Sequence, residues 1–253
     1  MIKISGFSDE ISQDTTEQFE ALNRLGISYF EPRGIDGKNI SALTRDEALA
    51  LKKKMDTYGI KASSIGSPIG KIKTSDDFDA HFEVFKNVVE IAGILDTPYV
   101  RMFSFYPVGE WDEMQKNIVF ERLQKLIGYA KKNSVILLHE NEKGIYGDIG
   151  TRCKELMETF YGNNFKAVFD PANFIQSGED TKICFEMLKD YIEYMHIKDA
   201  LKDNGKVVPS GYGDGNVEYV ALLSTSAAGG VPSADAVVRG AFEALKAKKE
   251  AGA

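Results

Sequence analysis

The feature that most constrains this chain is its period. Short apolar runs alternate with amphipathic stretches along most of its length. Ile2–Phe7, Tyr29–Arg33, KASSIG (61–66), YVRMFSF (99–105), VILLHE (135–140), FKAVFD (165–170) and IEYMHIKD (192–199) read as strands. Between them lie segments of helical spacing; Phe78, Phe82, Phe85, Val89 and Ala92, for example, share one helix face. That aromatic stripe reads as core packing. Seven β-α units without hairpin signals demand a parallel sheet covered by helices. No composition break or linker divides residues 1–253, so one domain is expected. The first β-α turn, GFSDEIS, lacks the G-x-G-x-x-G of a dinucleotide-binding opening. A closed (β/α)8 TIM barrel fits better than a doubly wound sheet.

Local signals support the helices. Asp14 is placed to cap a helix from Thr15 that stops at Gly26, and Thr44 with Glu47 forms a capping-box pattern for a second helix closing at Gly59. Further helices are expected around Val119–Ala130, Thr151–Tyr161 and Thr181–Asp190. GYGDGN (211–216) has alternating glycines but follows no strand directly, and reads as a lip after the seventh strand.

Composition narrows the function classes. A net charge of −7, from 38 acidic and 31 basic residues, argues against a phosphate-backbone binder, so no nucleic acid partner is expected. The 43% hydrophobic content suits a protein with a sizeable core. No apolar run approaches the roughly 18 residues that span a bilayer, and MIKIS opens a strand without a signal-peptide pattern. Cys153 and Cys184 lack metal-type or redox-type spacing. A cytoplasmic protein without membrane partners is the expectation.

The chemistry lies where strands end. Parallel strands are buried on both faces and should be apolar to their tips, yet the fifth, sixth and seventh end at Glu140, Asp170 and His196. Side chains alternate along a strand, so Leu138 with Glu140, Val168 with Asp170, and Tyr194 with His196 and Lys198 share faces. If those faces point inward, the three meet at the carboxyl mouth, where barrel active sites sit. Two carboxylates and a neutral imidazole suit one divalent metal ion: Mn, Mg, Co or Zn. A single strand-end charge would be better explained by a local ion pair; three at one level favour a metal. Arg33 and Arg101, also at strand ends, can hold substrate hydroxyls or a phosphate, or pair with Glu31. Lys198 is a candidate substrate contact, and Glu142 can face the mouth or solvent. His139 reads as structural and His81 as surface, while Trp111 with Phe105 and Tyr106 can wall a sugar face or cap the barrel.

On the motifs HENEKGIYGD, FDPANF and HIKDA, the chain resembles the sugar phosphate isomerase/epimerase family of xylose-isomerase-like barrels. These include ketose 3-epimerases, hydroxypyruvate isomerase and inosose dehydratase. The resemblance implies a Glu, an Asp, a His and a second Glu, after the fifth to eighth strands, around one divalent metal, with the glutamates moving the proton. Carried over, these are Glu140 (ligand and base), Asp170 and His196. Asn173 stands where many relatives have a substrate-binding His. The implied partner is a small-molecule sugar or sugar phosphate.

The fourth ligand has no evident counterpart. Val220 to Ala234 contains no carboxylate, and LLSTSAAGG is small-residued and glycine-ended. The expectation is a weak or missing eighth strand, three protein ligands, poor turnover and an open sheet edge that a homo-oligomer would cover. A lyase or dehydratase begins with the same proton abstraction and is the alternative enzyme; a degenerate sugar-binding barrel is the alternative without turnover. An endonuclease-IV-like barrel is disfavoured by three histidines and the negative charge.

Overall fold

The computed structural model describes residues 3–203 and 206–208. The chain groups into two compact units, one of Lys3–His139 with Phe160–Lys166, the other of Glu140–Thr159 with the described residues from Ala167 onward.

In the first unit, helix α1 (Thr15–Arg24) starts where the Asp14 carboxylate accepts from the backbone N–H groups of Thr16 and Glu17, donors the helix itself cannot satisfy. It is followed by Gly26 at φ 68° and by strand β1 (Tyr29–Phe30). β2 (Gly34–Ile35) and β3 (Lys38–Asn39) then pair antiparallel. This hairpin corrects the expectation of none, and its signal was in the chain: Asp36-Gly37 at φ 47° and 79° is the Asp-Gly turn whose twist matches paired strands. α2 (Arg45–Tyr58) opens with the Thr44–Glu47 capping box and closes at Gly59 in the left-handed region.

β4 (Lys61–Ala62) runs parallel to β1. β5 (Ile65–Gly66), β6 (Tyr99–Met102) and β7 (Ile136–Glu140) run parallel to one another, with Val100 beside Ile65 and Leu137. α3 (Phe78–Ile94) and α4 (Glu113–Lys132) connect them. Phe85, Val89 and Ala92 are buried, and Phe82 and Phe85 both meet the Tyr129 ring, so the aromatic stripe is core. Lys3–Phe7 form no strand; Gly6 C=O accepts one bond from Glu31 N–H at 3.0 Å before the backbone turns through Ser8–Glu10.

His81 departs from the surface reading. It is half-buried, and its Nε2 accepts from Gly70 N–H at 2.9 Å. Gly70 has φ 87°, and a Cβ there would lie 2.0 Å from Phe103 O, so the loop closes against β6's exit only with glycine. Phe105 is fully buried beside Phe78 and His81, which makes it core and not a wall facing a ligand.

α5 (Gly150–Phe160) belongs to the second unit up to Thr159, and β8 (Phe165–Phe169) belongs to it from Ala167. Helix α6 (Pro171–Gln176) follows at once, and α7 (Thr181–Leu188) leads to β9 (Ile192–Met195). β9 runs parallel to β8, with a register shift between Ala167 and Val168 that sets Val168 beside Tyr194 and Phe169 beside Met195. β10 (Asp199–Ala200) and β11 (Val207–Val208) make a second antiparallel pair. No helix among the described residues is long and apolar enough to cross a membrane. The expected GYGDGN lip and the weak or missing eighth strand lie outside the described residues.

Candidate metal centre

Three residues of the second unit form the cluster. Glu140 is the last residue of β7, Asp170 follows β8, and His196 follows β9, where its N–H donates to Phe169 O at 3.1 Å. Glu140 ends its strand, while Asp170 and His196 each lie one residue past theirs, where the chain turns from strand to polar side chain. Ligand atoms of the three lie within 4.8 Å of one another, and all three residues are buried. Nδ1 of His196 is 2.9 Å from Glu140 Oε1 and 4.0 Å from Asp170 Oδ2.

The electrostatics fit a cation. Burial first, then the negative charge of Glu140, push the Asp170 carboxyl up to about 6, against the opposing pull of Lys198, His196 and the Asn173 N–H. Two acids gathered out of water raise the cost of both being charged, and a divalent ion relieves that cost. An Asp/Glu/His donor set is one such ions accept.

The other proposed contacts divide. Asn173 is buried in α6, and its amide donates to Asn141 O at 2.9 Å and lies 3.4 Å from Glu140 Oε1. The Lys198 ammonium lies 2.7 Å from Asn173 Oδ1 and 3.4 Å from Asp170 Oδ2. Glu142 is half-buried, two residues beyond the end of β7. Arg101 is in the first unit, 3.7 Å from Glu31 and stacked over the rings of Phe7 and Phe103. Arg33 pairs with Asp9 at 2.8 Å and with Glu10, so Glu31 is the partner of Arg101 and not of Arg33. His139, buried, is 2.9 Å from Ser104 Oγ, a structural role.

Sequence reasoning missed two features. Asp170 is also the N-cap of α6, accepting from Asn173 N–H. Its signal is Asp-Pro, a capping acid before a proline that needs no helical donor. The second is Asn141, 2% exposed, whose only signal is an Asn directly after the strand that ends at Glu140.

The family model for the xylose isomerase-like TIM barrel matches residues 19–233. The chain belongs to this family. No curated protein matches it significantly. Among solved structures, it is similar to the probable 3-DHS dehydratase AsbF of Bacillus anthracis (TM-score 0.75, 16% identity, covering 97% of this chain and 99% of that one). It is similar also to a D-tagatose 3-epimerase-like protein (TM-score 0.74, 16% identity, all of both chains). A third is the IOLI protein with a zinc atom (TM-score 0.70, 21% identity, 88% of this chain and 84% of that one). At these identities the likeness establishes the xylose isomerase-like barrel fold.

Proposed function

We propose that this barrel is a divalent-metal-dependent isomerase or epimerase of a sugar or sugar phosphate, working by proton transfer next to a carbonyl. The observation that carries the reading is the buried Glu140–Asp170–His196 cluster. Neighbours named as epimerase-like and zinc-containing support it. Asp170 and His196 would hold the ion, with Glu140 both ligand and base. When bound, the ion supplies positive charge against the negative charge that develops on the carbonyl oxygen. Glu140 takes the proton on a carboxylate oxygen; its burial among Asn173 and His196 limits the geometries it can adopt and keeps water from competing. Asn173 and Lys198 offer an amide and an ammonium for substrate oxygens, and Glu142 a carboxylate for a hydroxyl. We read the enzyme as cytoplasmic.

A dehydratase is the second reading, favoured by the likeness to AsbF and by a shared first step, proton abstraction beside a carbonyl. One experiment separates the readings. The protein, loaded in turn with Mn2+, Mg2+, Co2+ and Zn2+, is incubated with ketoses, ketose phosphates and hydroxy-keto acids in D2O and followed by NMR. Deuterium in an isomerised product supports the isomerase, loss of water the dehydratase, and no exchange with any substrate the sugar-binding barrel. Metal titration of wild type and His196→Ala accompanies it; equal binding by both would sink the site assignment.

A further inference from the structure

We propose that Asn141 is a positioning residue for the cation site, its side-chain amide standing in for a neighbouring strand at Asp170. This rests on the metal reading above. Past the tips of β7 and β8 no ladder is left to hold Asp170, whose backbone stays extended (φ −108°, ψ 101°) just before Pro171 opens α6. The proline disfavours helical geometry at Asp170 but supplies no hydrogen bond. Asn141 supplies two. Its Nδ2 donates to Asp170 O, and Asp170 N–H donates to its Oδ1, both at 2.9 Å. Bonding both backbone groups of one residue reproduces the hydrogen-bonded pair of an antiparallel ladder. Asn141 is fixed in turn, because its own carbonyl accepts from Asn173 Nδ2 at 2.9 Å.

The consequence reaches the metal-facing atoms. Asn141 adjoins Glu140 in the chain, so the clamp ties the backbone carrying one carboxylate to the backbone carrying the other. Asn173 N–H takes Asp170 Oδ1 at 3.0 Å, leaving Oδ2 as the oxygen nearer His196 Nδ1. A residue one shell out thereby sets the spacing of two ligands, as outer partners of metal sites commonly do.

The test compares wild type, Asn141→Ala and, as a control of similar intent to destabilise, Leu156→Ala, which truncates a buried side chain of α5. Calorimetric titration with Mn2+, run well below each protein's Tm, should show Asn141→Ala binding about 10- to 100-fold more weakly, with Leu156→Ala unchanged. The visible spectrum of bound Co2+, which reports ligand geometry, should change in Asn141→Ala alone. Equal Mn2+ affinity for Asn141→Ala and wild type overturns the proposal, as does equal weakening in the control. Absence of Mn2+ binding by wild type overturns the metal reading itself, and this inference with it. Amide exchange on the metal-free wild type reads the clamp directly, whether or not Asn141→Ala folds. The Asp170 N–H should be as protected as its ladder neighbour Phe169, and rapid exchange at Asp170 overturns the clamp.

Discussion

Lys198 reaches back from the segment after β9 to place its ammonium 2.7 Å from the Oδ1 of Asn173, a residue of α6. The bond joins two separate elements beside Asp170. Lys198→Met removes the charged donor and weakens the hold on a buried amide, a loss of about 1.5–3 kcal/mol for a charge-assisted bond. The lysine side chain is 35% exposed, so solvent screening should place the loss near the lower end. Urea denaturation of the two proteins measures it; identical midpoints would mean that the ammonium contributes through solvent alone.

Glu140→Gln keeps an oxygen able to face a metal but cannot accept a proton. Hydrogen exchange between substrate and D2O should fall by about 10²–10⁴, the usual worth of a general base. Metal affinity, measured in parallel, should fall far less. Undiminished exchange on a confirmed substrate would move the base elsewhere.

His81 carries a pH dependence. Burial, then the Arg122 guanidinium, lower its pKa below the ordinary imidazole value of 6.5, against a smaller opposing effect of Asp76. The unfolded chain therefore binds the proton more readily. Neutral His81 contributes stability that is present above about pH 6.5 and is lost as pH falls through the lower folded value. His81→Gln retains an oxygen for the Gly70 N–H but does not titrate. Urea midpoints from pH 7.5 to 5 should fall more steeply for wild type than for the variant; parallel curves would refute the assignment.

The two cysteines should be inert in the folded protein. Both are buried; burial chiefly holds the Cys153 thiol well above its usual range and pushes that of Cys184, helped by the Glu179 charge, up to about 12. A thiol reacts as its thiolate. Labelling with an aromatic disulfide reagent at pH 8 should be negligible without denaturant and reach two equivalents in urea, matching the cysteine count. Fast labelling of either under native conditions would show an opening that this packing does not contain.

The β-α alternation, the caps at Asp14 and Thr44 and the strand tips at Glu140, Asp170 and His196 were legible in the chain because each depends on residues close in sequence. Apolar period, a capping oxygen and the polar end of a greasy strand are local quantities. The Asp36-Gly37 hairpin and the α6 start at Asp170-Pro171 were equally local, and were overlooked. The role of His81 was not readable, because a helix face says nothing of which loop amide will turn toward it; Gly70 does so across 11 positions. Nor was that of Asn141, whose partner lies 29 positions away and is backbone, chemically the same at every residue. What a side chain does to its neighbours in sequence can be read from the order of residues. Which distant backbone group it satisfies is decided when burial removes water as the competing partner, and that happens only in the folded chain.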